Sequence, residues 1–187
     1  MEPLILAWGE CDVLVKNIST KAVAPPWKVL HKPVEDSTSL EPTQGDKTEA
    51  LVEGGEREAV RYKKNTYALS LQVRVAPGVP LVLEDEDGVV EDQYSVVVIP
   101  KNQKALGIYI ERAEANILKR YSSADGITAE YTFDVLRASS GSQIKIGRFD
   151  ATFGEDKATK LDFYELTASS GEEGSKVDLM TAVNPTE

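Results

Sequence analysis

Strict alternation of apolar and polar positions is the strongest pattern in the chain. In "TYALSLQVRV", Tyr67, Leu69, Leu71, Val73 and Val75 fall on one side and Ala68, Ser70, Gln72 and Arg74 on the other. A period of two is what a half-buried strand requires. "GITAEYTFDVL" repeats it, with Ile127, Ala129, Tyr131, Phe133 and Val135 directed inward and Thr128, Glu130, Thr132 and Asp134 outward. Shorter runs rich in β-branched and aromatic residues add further strands: "ECDVLVKN", "WKVLHKP", "KTEALVEG", "YSVVVIP", "LGIYIER", "QIKIGRF" and "LDFYELT". Turn residues separate them, and roughly eight to ten strands are expected in all. Strand and helix do not alternate as they would in a parallel, doubly wound sheet. The predicted class is therefore mainly β, an antiparallel β-sandwich or split β-barrel with at most one flanking helix.

That helix has one candidate. "ERAEANILKRY", residues 111–121, sets Ala113, Ile117 and Tyr121 at helical spacing, yet it also alternates through Ala113, Ala115, Ile117, Lys119 and Tyr121. It runs on through "SSADG", whose Asp125-Gly126 is a hairpin signal, into the strong strand that follows. A long hairpin is the favoured reading and a helix packed on the sheet the competing one. "KPVEDSTSLEPTQGDK" and "PGVPLVLEDEDGVVEDQ" carry the prolines, glycines and acidic residues of long connections. "TASSGEEGSKVDLMTAVNPTE" loses the alternation. The expected organisation is one domain over residues 1–168, followed by a C-terminal tail or arm over 169–187.

Composition narrows the function. The 187 residues can bury one substantial core, and 41% hydrophobic with 28% charged residues is the balance of a folded protein. A net charge of -10 speaks against tight nucleic-acid binding, which needs clustered Lys and Arg. Carboxylates lining a channel would instead repel a polyanion passing through it. With a single cysteine, Cys11, no intrachain disulfide and no Cys-rich zinc site can form. No run is long enough for a membrane helix, and "MEPLILAWGE" has no basic segment before its apolar patch. The chain reads as soluble and non-secreted, with no membrane partner.

No constellation of catalytic residues emerges. The acidic run Glu84, Asp85, Glu86, Asp87 before Gly88 invites a calcium ion, but counting back from Gly88 places Leu83 at a ligand position and no closing glutamate follows. It reads as a solvated loop kept extended by like charges. The only histidine, His31, stands in a strand-like run beside a proline, with no nucleophile placed for it to activate. Cys11 alternates with Val13 and Val15 as a small buried hydrophobe would. "GGEREAVRYKK" lacks the spacing of a phosphate loop. Trp8 and Trp27 could stack on sugar rings, although an isolated Trp more often plugs a core edge. No catalytic, cofactor-binding or metal residue is assigned.

One resemblance gives a more specific expectation. "EPTQGDKTEALVEGGEREAVRYKKNTYALSLQVRV", residues 41–75, resembles the strand–turn–strand core of phage major tail tube proteins, including those of prophages and contractile injection systems. "LGIYIERAEANILKRYSSADGITAEYTFDVL", residues 106–136, is similar to the paired strands that complete such a domain. The resemblance implies a β-sandwich with a flanking helix, copies of which form hexameric rings stacked into a hollow tube. Other tail proteins would be its partners, DNA a passing cargo, and its location the virion tail, after assembly in the cytoplasm. By position, the 77–93 loop and the tails would bridge adjacent rings. Ser70, Gln72, Arg74, Glu84, Asp85, Glu86 and Asp87 form the candidate self-assembly surface. The alternative is a monomeric β-sandwich binding module, cell-surface or carbohydrate-binding, which exposed and coplanar Trp8 and Trp27 would favour.

Overall fold

The computed structural model describes residues 9–19, 25–53, 55–79, 81–139, 141–166 and 173–181. Among these residues twelve strands follow in order: β1 (Cys11–Asn17), β2 (Lys28–Val29), β3 (Ser39–Thr43), β4 (Lys47–Leu51), β5 (Arg57–Tyr62), β6 (Thr66–Val75), β7 (Val89–Pro100), β8 (Gly107–Ser122), β9 (Gly126–Val135), β10 (Ile144–Phe153), β11 (Ala158–Leu166) and β12 (Glu173–Asp178). All the strand pairings are antiparallel. The mainly β, sandwich-like class read from the sequence is what the chain adopts.

β8 organises the two layers. One edge pairs with β10 at Gly107–Ile110 and then with β9 from Ala113 to Ser122, so its partner changes across Glu111 and Arg112. Its other edge follows β7, with register shifts that bend the ribbon. One layer therefore holds β2, β1, the later part of β7, the start of β8, β10, β11 and β12. The other holds β3, β6, β9 and the remainder of β8. Between them lies the main core, where Leu69, Leu71 and Val73 of β6 and Ala129, Tyr131 and Phe133 of β9 meet Val13, Val15, Val96 and Ile110. Residues 111–121 accordingly form the middle of a sixteen-residue strand, and no helix occurs among the described residues. Alternation outweighed helix propensity because Ala113, Ala115 and Ile117 each fill the space between the layers.

A second core explains why "DVLVK" and "YSVVVIP" are apolar almost without interruption. Leu14, Val97 and Ile99 point away from the first core and are covered by Phe149, Leu161, Phe163, Trp27 and Leu179. The β10–β11 ribbon curls back over this face. Its turn reaches β2 through Val29 N–H to Asp156 O (3.0 Å) and Ala158 N–H to Trp27 O (3.0 Å). Gly107 stands opposite Gly147 where the ribbon leaves β8. A Cβ at Gly107 would strike the Val98 carbonyl and the Phe149 ring, and one at Gly147 the Tyr164 carbonyl and the Phe163 ring. Only glycine allows so close an approach.

Several boundaries differ from the sequence expectation. Residues 173–181, assigned to a tail, pair as β12 with β11 and send Leu179 into the second core. Residues 39–43, assigned to a connection, are the edge strand β3. Ile127, placed inward by alternation, is about half exposed at the tip of the β8–β9 hairpin, beyond the reach of the core. The stretch 47–62, read as continuous with the domain core, is a separate two-stranded sheet.

Candidate assembly surface

The β3–β6 ribbon does not stop at Thr43 and Thr66, which face each other. After a break at residues 44–46 and 63–65 it continues as the β4–β5 hairpin, paired from Lys47 opposite Tyr62 to Leu51 opposite Arg57. Lys63 N–H to Asp46 O (2.9 Å), Lys63 Nζ to Asp46 Oδ2 (2.8 Å) and Gly45 N–H to Asn65 Oδ1 (3.1 Å) hold the base. Gly45 is required there because a Cβ would run into the Lys63 carbonyl. Every residue of both strands is exposed. At about 3.4 Å per residue, each strand reaches roughly 17 Å.

Cross-strand register sorts the arm into two faces. Tyr62, Val60 and Leu51 share one face with Lys47 and Glu49, and on it Glu49 pairs with both Lys47 and Arg57. Thr48, Arg61, Ala50 and Ala59 occupy the other. Leu51 is 60% exposed and Tyr62 57%, and neither belongs to a core cluster of the described residues. The signal was present in the sequence: both faces of 47–62 carry a charge, so neither face suits a core.

The candidate residues named from the sequence separate into two places. Ser70, Gln72 and Arg74 lie together on the outward face of the β3–β6–β9–β8 layer, opposite Thr132, Glu130 and Thr128. Ser70 Oγ meets Ser39 Oγ at 3.0 Å, and Arg120 Nη2 meets Glu130 Oε2 at 3.0 Å. Glu41, Glu114, Glu130 and Asp134 share this face with Arg74 and Arg120, so carboxylates outnumber cations across it. Glu114 stands directly opposite Asp134, an arrangement that costs stability through like-charge repulsion.

Glu84, Asp85, Glu86 and Asp87 do not join that face, and the loop is not extended. Glu86 bridges Val89 through a tight turn in which Asp87 (φ 50°) and Gly88 (φ 89°) are both left-handed. Asp85 folds inward to accept from Lys119 Nζ (2.9 Å) and Gly88 N–H (3.0 Å). The hydrogen bond from Lys119 is the main cause of its lowered carboxyl pKa. Leu83 is buried in the main core, which anchors this loop to the sandwich. Pairing with Lys119 overcame the mutual repulsion of the acids.

The remaining candidate residues have structural surroundings. Trp27 is buried and donates Nε1–H to Leu179 O at 3.0 Å, so it forms no exposed platform, while Trp8 lies outside the described residues. Cys11 is half-buried against Thr38 Oγ1 (3.7 Å), and burial raises its thiol pKa. Among the described residues no group of three or more His, Cys, Asp or Glu side chains converges on a metal position. By fold the chain is an antiparallel β-sandwich protein carrying a projecting β-hairpin. No protein-family model matches it, and no curated protein does either.

Proposed function

We propose that the chain is a self-assembling structural protein of the phage tail tube kind, whose copies close into rings that stack into a hollow tube. The β4–β5 arm carries this reading. A lone two-stranded hairpin is marginal in water, and this one leaves Leu51, Val60 and Tyr62 uncovered among the described residues. Cover from a neighbouring copy accounts for both features. β3 and β12 each pair on one side only among the described residues, which leaves edges for strand addition between subunits. The polar β3–β6–β9–β8 face, with its excess of carboxylates, suits a lumen that repels DNA phosphates and lets the polymer slide. Six copies per ring and contacts with other tail proteins follow from the family resemblance.

Electron microscopy and light scattering on the purified full chain over a range of concentration and salt test the proposal. Rings or tubes that grow with concentration are the expected result. A monodisperse monomer under every condition overturns it, and glycan binding by that monomer in calorimetry would favour the binding-module alternative.

A further inference from the structure

The β4–β5 arm lies at the same end of the molecule as a groove that the described residues leave open. Thr43 and Thr66 mark the arm's base, and Leu40 and Leu69, three residues away on each strand, line the groove. Its volume is about 650 Å³, within the range of clefts that bury a ligand. Cys11, Leu40, Val98, Leu106 and Ile108 supply an apolar lining, in which Leu106 remains 45% exposed. No described residue between 44 and 65 lines it, so the arm does not cover the groove of its own chain.

We infer that this groove receives the β4–β5 arm of a second copy, with Leu51, Val60 and Tyr62 seated on the apolar lining. The inference rests on the self-assembly reading and names the surface that meets the arm. Charge supports the pairing. Glu35 and Asp36 stand at the groove and form no ion pair within the described residues. On the arm, Lys47 and Arg57 lie on the same face as Leu51, Val60 and Tyr62 and share the single carboxylate of Glu49, which leaves that face a surplus of positive charge. Segment 44–65 carries five basic and five acidic residues in a chain of net charge -10. A neutral arm therefore approaches an acidic neighbour without the repulsion that two bodies would feel. Burying the arm also stabilises it, because its two strands gain an apolar surface to lie on.

Cys11, the only cysteine, makes the contact testable. Val60→Cys and Leu51→Cys variants of the full chain, assembled and treated with a short bismaleimide, should give intermolecular cross-links. These should vanish when Cys11→Ser is added and when the protein is diluted to monomer. Assemblies that form, as light scattering reports, without any Cys11-dependent cross-link from either variant would overturn the groove as the receiving surface and leave self-assembly standing. Failure of the unmodified chain to assemble at any concentration would overturn both. A variant that fails to fold is identified by circular dichroism, and the other arm position then decides the matter.

Discussion

The carboxylate of Glu111 accepts both the backbone N–H (3.0 Å) and the hydroxyl of Ser139, which ties the β9–β10 connection to the point at which β8 changes partner. Lys145 Nζ stands 3.5 Å from the other carboxylate oxygen, and the Ser95 hydroxyl donates to Glu111 O at 2.7 Å. Burial pushes the Glu111 carboxyl pKa up, but the Ser139 hydrogen bonds and the Lys145 charge more than offset this, and the net shift is downward. A carboxyl lowered in the folded state adds stability that is complete above its ordinary value. That contribution is lost as pH falls through the lowered one. Acid unfolding of Glu111→Gln should therefore show a flatter dependence on pH across the carboxylate range than the parent. Ser139→Ala should cost about 1–3 kcal/mol at neutral pH in denaturant titration.

Alternation on β6 can be read out by a pair of substitutions one residue apart. Leu71 is fully buried between the layers, and Leu71→Ala should cost about 2–5 kcal/mol through lost burial and the cavity left behind. Gln72 points to the outward face, and Gln72→Ala should stay within about 0.5 kcal/mol. Equal losses in urea unfolding would contradict the register of β6.

Gly147→Val tests the close approach at the β8–β10 junction. The new side chain would meet the Tyr164 carbonyl and the Phe163 ring, and the expected cost is about 1–3 kcal/mol or more, seen as a lower melting temperature. The same substitution at Gly55, whose added Cβ meets nothing within 4 Å, acts through backbone strain alone, since φ there is +82°. Near-ultraviolet circular dichroism separates the two, because only the Gly147 variant displaces packed aromatic rings.

Leu51→Ser and Tyr62→Ser separate assembly from folding. Both side chains are exposed and outside the cores, so the melting temperature of the monomer should hardly move, with stability changes within about 0.5 kcal/mol. Light scattering should nevertheless show the concentration threshold for assembly raised severalfold in each, and raised further in the double variant.

The sequence by itself determined the strand-rich class, because alternation is a local property: Leu69, Leu71 and Val73 on β6, and Ala129, Tyr131 and Phe133 on β9, share a face whatever they pack against. It also marked "KTEALVEG" as extended, and residues 47–51 are the strand β4. Partners across the sheet were decided only by the tertiary structure. Apolar runs such as "YSVVVIP" look alike whether one face or both are covered, and it is the curl of β10–β11 over Leu14 and Val97 that buries both. Segment 173–181 looks like a polar tail, yet β11 offers it a ladder and the second core a place for Leu179. Glu84 to Asp87 likewise repel one another along the chain, until Lys119, distant in sequence, is brought beside Asp85. The arm's independence was also a tertiary outcome. With charge on both faces it could join neither core, so the ribbon that begins as β3 and β6 leaves the domain at Gly45 and Lys63 and projects as a surface that the described residues do not cover.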